Sequence, residues 1–163
     1  MTRSVLAAAL AAIPLALAGC TGAGSILEPS ALLSPQPPSA AASTIVQFAP
    51  VVGAPGPAAG ILGEALLARA GEVGLNLAMA GETGTLSMQG YFSAFSEDGG
   101  TTVVYVWDVV DPGGNRVHRI QGSQQAAAGP GEGWDGVDEA TMRTIAGQTI
   151  DQLVGWIALN DAG

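Results

Sequence analysis

Lysine is absent from this 163-residue chain, and five arginines stand against 14 aspartates and glutamates, giving a formal net charge of −9. A chain this acidic repels phosphate backbones and anionic lipid surfaces, which excludes nucleic-acid binding. Histidine occurs once, at His118, and cysteine once, at Cys20. One imidazole and one thiol cannot assemble a zinc site, so no metal is expected, and no internal disulfide can form. Packing alone has to stabilise the fold. A Ser-His-Asp arrangement would have to use His118, which lies between two arginines on a strand-like stretch and beside no nucleophile turn. The glycine-rich segment 49–57 lacks both a Gly-Lys-Ser/Thr continuation and a G-x-G-x-x-G pattern, so a nucleotide cradle is rejected and no cofactor is expected. The carboxylate pairs Glu97-Asp98 and Asp138-Glu139 fall in a turn and at a helix start, where solvated and capping roles account for them. A non-enzymatic protein is the expectation.

What is present begins at the N-terminus. Arg3 precedes Val5 to Leu17, a run of almost only Ala, Leu, Ile and Val, closed by Ala18-Gly19-Cys20. The run is short for a bilayer span and ends in small residues, the layout of a secretory signal peptide. Leu17-Ala18-Gly19-Cys20 resembles the lipobox of bacterial lipoproteins. The resemblance implies that Cys20 is alkylated with diacylglycerol, that residues 1–19 are removed, and that the new amino terminus is acylated. Four arginines then remain against 14 acids, a mature charge of 4 − 14 = −10. The anchor must therefore be the acyl chains and not a basic patch, and several chains on one cysteine suffice. No later stretch reaches the length of a membrane-spanning helix.

Residues 20–42 are rich in Ser, Ala, Gly and Pro and read as a tether, reaching roughly 70 Å if fully extended. Thr21 follows the cysteine where enteric bacteria use aspartate for inner-membrane retention. The resemblance accordingly implies the outer membrane, on its periplasmic face.

The remaining 43–163 reads as one domain. Thr44 to Phe48 is a short strand, followed by a breaker-rich connection with Pro57 near the first helical turn. Ala58 to Val73 has helical spacing, with Gly71 and Gly74 at its end. Residues 74–79 alternate briefly. Thr85 to Phe95 alternates clearly, placing Leu86, Met88, Gly90, Phe92 and Ala94 on one face. Residues 96–100 form a hairpin turn into Thr101 to Asp111, whose two faces are both apolar; this strand is expected to be central and covered on both sides. Asp111-Pro112-Gly113-Gly114-Asn115 is the strongest turn signal, and Arg116 to Gln124 returns as a strand.

Setting Asp111 opposite Arg116 pairs Asp108 with Arg119 and Trp107 with Ile120, with Val103, Tyr105, Trp107, Val109 and Ile120 towards the core. A one-residue slip would instead place Asp108 opposite His118. Asp135 or Asp138 caps a last helix whose apolar side is Met142, Ile145, Ala146, Thr149, Ile150, Leu153, Trp156 and Ile157. The expected fold is a two-layer α+β sandwich: a mainly antiparallel sheet of four or five strands with two helices on one face.

The segment from Val104 to Gly122, with the tryptophan-containing helix after it, resembles a family of small alphaproteobacterial lipoproteins to which no catalytic residues are assigned. The order of elements over Thr44 to Leu159 is similar to penicillin-binding-protein activators of the LpoB type, curli-secretion proteins of the CsgG type and the N-terminal domain of TolB-type proteins. Arg116, His118 and Arg119 hold half of the mature arginines within four positions. They read either as a contact for an anionic partner or as a charged strand edge paired to Asp108. Trp134, among glycines in a loop, is a candidate contact residue or a lid over the sheet. The expected function is a lipid-anchored, non-enzymatic adaptor with a periplasmic protein partner in envelope assembly or transport. The alternative is a ligand-binding or enzymatic lipoprotein acting on cell-wall or small anionic substrates.

Overall fold

A computed structural model describes residues 44–127 and 131–160. Cys20, the leader and the tether lie outside the described residues. The elements run in the expected α+β order: Ile45–Phe48 (β1), Gly56–Val73 (α1), Asn76–Leu77 (β2), Leu86–Glu97 (β3), Gly100–Val110 (β4), Arg116–Gln125 (β5), a 3-10 turn at Gly133–Gly136, and Glu139–Asn160 (α2).

Five strands form one sheet in the order β2-β1-β3-β4-β5. The three long strands are antiparallel, as the turns require. The short β1 is parallel to both of its neighbours, so the sheet is mixed. The cause is the connection: α1 carries the chain back along the sheet, and a strand that follows a crossover helix enters parallel to the one before it. Pro57 occupies the first turn of α1, where its missing N–H costs nothing. Gly74 ends the helix in the left-handed conformation at φ 71°. The Leu75 N–H then returns to the Ala70 carbonyl at 2.9 Å while the Leu75 side chain is buried, which closes the end of the helix.

Two cross-strand pairs organise the covered face. Gly90 on β3 lies opposite Trp107, and Gly122 on β5 lies opposite Tyr105. A Cβ on Gly90 would stand 2.6 Å from the Trp107 ring, and one on Gly122 would stand 2.4 Å from the Tyr105 hydroxyl. Both rings thus lie across a strand neighbour that has no side chain. Trp107 is flanked edge-to-face by Phe48 at 5.6 Å and Phe92 at 5.4 Å, and Phe92 stacks on Tyr105 at 6.0 Å. Both helices cover this face: Leu62, Ala65, Leu66 and Ala70 from α1, and Met142, Ile145, Ala146, Ile150, Leu153 and Ile157 from α2, join one buried cluster with it. Arg69 of α1 clasps Asp151 of α2 at 2.7 Å across the outer side of the helix pair.

The β4–β5 register follows the expected pairing along most of its length, with Trp107 opposite Ile120 and Asp108 opposite Arg119. At the turn it does not. A bulge between Val109 and Val110 sets Arg116 opposite Val110 rather than Asp111, because the Asp111 carboxylate turns back to accept the Asn115 N–H at 2.8 Å and closes the turn one residue early. The expectation that β4 is covered on both sides is also corrected. Val103, Tyr105, Trp107 and Val109 are buried, but Val104 on the other face is exposed and Val106 and Val110 only half-buried. Both helices lie on one side, and no other described element covers the second.

Gly90→Ala should destabilise the fold by about 1–3 kcal/mol through overpacking against Trp107. Gly60→Ala, in α1 with open space at its Cβ, should stabilise it by about 1 kcal/mol through helix propensity. Urea unfolding of the two variants checks both signs.

Candidate functional site

The open face of the sheet gathers most of what is chemically distinctive. Successive rows across β3, β4 and β5 read Gln89-Asp108-Arg119, Tyr91-Val106-Gln121, Ser93-Val104-Ser123 and Phe95-Thr102-Gln125. Tyr91, Phe95 and Val104 are 44%, 46% and 37% exposed. They form an apolar patch on regular strands, where backbone hydrogen bonds hold each side chain in a fixed direction. Val104 lies between the two rings, opposite Ser93.

A charged cluster borders the patch. The Asp108 carboxylate receives both arms of the Arg119 guanidinium, Nε at 2.6 Å and Nη2 at 2.9 Å. Arg116 approaches the same carboxylate at 3.7 Å. The two-pronged fit is the stronger geometry, and it holds the Asp108 carboxyl below the usual carboxylate range, the Arg119 hydrogen bond being the main cause. Arg119 is raised in turn by the same bond. Arg116 is the looser of the two cations, with half of its side chain exposed.

The four residues singled out from sequence do not converge. The pleat sends His118 to the helix-covered side, where its ring stacks on Trp156 at 4.8 Å and within 4° of parallel. Arg116 and Arg119 lie on the opposite face with Asp108. Trp134 sits in the 3-10 turn, half-buried against the core. That turn is pinned to the β3–β4 hairpin by the Gly133 N–H, which donates to Ser96 Oγ at 2.8 Å, and Ser96 pairs with Thr101 at 2.7 Å. Trp134 is thus a lid over the hairpin end of the core, and a composite pocket of arginines and histidine is not assembled. Cys20 lies outside the described residues.

Sequence reasoning set Tyr91 with Ser87, Gln89 and Ser93 on the second face of β3 but did not single out Tyr91, Phe95 or Val104 as candidate contact residues. The signal was available for two of them: Tyr91 falls on the off-core side of the β3 alternation, and Phe95 shares its parity. For Val104 there was none, since the residues on either side are equally apolar. No group of three or more metal-ligating side chains occurs among the described residues, and none of their helices is long and apolar enough to cross a membrane.

The acid limb of stability follows from three aspartates. Asp108 is lowered by Arg119, Asp111 by the Asn115 backbone N–H, and Asp138 by the Thr141 hydroxyl and N–H at the start of α2. A carboxyl lowered on folding adds stability that is complete above its unfolded value, near pH 4, and lost as pH falls through the folded one. Unfolding free energy should therefore drop below about pH 4, and Asp138→Asn should make that drop shallower. Asp138→Ala should cost about 1 kcal/mol at neutral pH through loss of the helix cap. Chemical denaturation across a pH series measures both.

No family model matches the chain, and no curated protein matches it. Among solved structures the chain is similar to a leucine-to-methionine variant of the PelC dodecamer from Paraburkholderia phytofirmans. That match has a TM-score of 0.43 and 11% identity, covering 64% of this chain and 81% of that one. It is also similar to a minor lipoprotein from Acinetobacter baumannii, with a TM-score of 0.40 and 10% identity over 72% and 94% of the two chains. Likenesses this loose concern the layout of elements and carry nothing about what the chain does.

Proposed function

We propose that this chain is a lipid-anchored module of the cell envelope, facing the periplasm, that binds a protein partner through the open face of its sheet. The observation that supports the reading is the exposed patch of Tyr91, Phe95 and Val104, bordered by the cluster of Asp108, Arg119 and Arg116. Aromatic residues and arginine are the types enriched at protein interfaces, and a few such anchors supply most of the binding energy. Rigid strands lower the entropy lost on binding, because the patch needs no ordering. The lipobox-like Leu17 to Cys20 and the proline-rich tether support an anchored domain with radial reach. The Arg119 fork is already filled by Asp108, which favours a partner recognised by shape and apolar contact over an anionic polymer.

Two measurements test this. In detergent phase partition of intact cells, the wild-type chain should follow the membrane fraction and Cys20→Ser should leave it; retention of Cys20→Ser would refute the acyl anchor. In intact-cell crosslinking with a C-terminal tag, one discrete periplasmic protein should be recovered. Tyr91→Ala with Phe95→Ala should lower its recovery at least tenfold, and Arg116→Ala should lower it less. Equal recovery from the double variant would overturn the assignment of the open face.

A further inference from the structure

The outer side of β5 is an open sheet edge. The order β2-β1-β3-β4-β5 leaves this strand of 10 residues with no described strand beyond it. The Ala126 N–H, which continues the strand, donates to the Thr101 carbonyl at 2.8 Å. Inward and outward backbone groups alternate along an antiparallel strand. Gln124, Gly122 and Ile120 therefore turn theirs towards β4, and Ser123, Gln121 and Arg119 turn theirs outward. Natural sheets blunt such an edge with charge, proline or a bulge. Here the devices stand only in the first half of β5, as Arg116, the bulge and Arg119. The second half, Ile120 to Gln125, holds neither charge nor proline.

That division is self-complementary. β5 is the one long strand without a carboxylate, in a chain of net charge −9, so a second copy meets least repulsion there. Laid antiparallel on itself about Gln121, β5 sets Arg119 opposite Ser123 of the second copy and Ile120 opposite Gly122. Arg116 falls at the end, opposite Ala126. Each guarded half then meets an unguarded one, whereas a parallel pairing in register would set arginine against arginine. The helix above has the same centre. Gln148 of α2 bonds Gln124 at 3.3 Å, and Trp156 stacks on His118. Gln152 lies midway between them on that side of the helix, level with Gln121, so the axis passes α2 at an uncharged residue.

We propose that two copies of this chain join through β5, the strands pairing antiparallel about Gln121 into one continuous sheet with five strands from each copy. The contact is isologous, the commonest form of protein self-association. It does not rest on the partner proposed for the open face, which both copies keep exposed.

The test uses the full chain with Cys20→Ser, so that no other thiol and no acyl group is present. Sedimentation equilibrium up to about 100 µM, which captures a micromolar dissociation constant, should show a dimer. Gln121→Pro removes an outward N–H that β4 does not use, a change that edge strands tolerate. It should raise the dissociation constant at least tenfold with an unchanged circular dichroism spectrum. Gln121→Cys puts two sulfurs on the axis, where paired Cα atoms stand about 5.5 Å apart, within disulfide reach. With oxidised glutathione it should give a disulfide-linked dimer, and Ser123→Cys, whose two copies lie four residues apart, should give at least tenfold less. Tyr91→Ala with Phe95→Ala should dimerise as the parent does. If Gln121→Pro unfolds, the two cysteine variants decide alone. A monomer throughout that range, a dimer undiminished in folded Gln121→Pro, equal crosslinking of Ser123→Cys, or loss of the dimer in Tyr91→Ala with Phe95→Ala would each overturn the assignment.

Discussion

The seating of Trp107 across Gly90 is the constraint on which the rest of the structure depends. An indole laid along a strand needs a neighbour without a side chain, and Gly90 supplies that space directly opposite in the ladder. Tyr105 and Gly122 repeat the device one strand further on. With each ring laid across a glycine, the covered face presents one aromatic layer to which residues of both helices pack. Tyr105 then extends the arrangement outward: burial pushes its phenol above the usual tyrosine range, and it donates to Gln148 of α2 at 2.9 Å, which in turn reaches Gln124 of β5 at 3.3 Å. The buried aromatic layer, the docking of the last helix and the outer strand are therefore one connected system.

That system also decides which face of the sheet is free. Both helices are drawn to the aromatic layer, and the Arg69–Asp151 clasp holds them together there. The opposite face keeps Tyr91, Phe95 and Val104 in water. Residues of this kind on a sheet face that no described element covers are the kind found at interaction surfaces. The edge strand β5 limits unspecific pairing by carrying Arg116 and Arg119, which is consistent with the proposed association through the face.

The order of elements was legible from the sequence because its punctuation is strong: Pro57 and Gly74 bound α1, Asp98-Gly99 takes positive φ in the first hairpin, and Asp138 caps α2. The core side of β4 was legible from one register hypothesis, since Trp107 and Ile120 must share a face. Three features were not. The parallel setting of β1 follows from the α1 crossover and from β3 docking beside β1 rather than beside β2, long-range choices that Ile45 to Phe48 do not encode. The bulge at Val109/Val110 depends on how Asp111 spends its carboxylate, a side-chain event invisible to alternation. The exposure of Val104 depends on the number of helices available to cover the sheet, not on anything in β4. The separation of His118 from Arg119 was implied by the pleat, whereas its separation from Arg116, two residues away, follows from the bulge.

Electrostatics narrow what the open face can recognise. Each of the four arginines among the described residues lies within salt-bridge distance of a carboxylate: Arg69 of Glu72 and Asp151, Arg116 and Arg119 of Asp108, and Arg143 of Glu139. Three of those arginines are held by close hydrogen bonds, and only Arg116 stands off. An anionic ligand seeking the Arg119 fork would have to displace Asp108, a mostly shielded carboxylate that would then be left without its closest partner, and losing one member of such a pair costs more than the pair is worth. It would also approach through the field of a strongly acidic domain. The proposed recognition by shape, with Tyr91 and Phe95 as anchors and Arg116 as the adjustable charge, requires no such displacement, and this is the physical argument for proposing a protein partner rather than an anionic polymer.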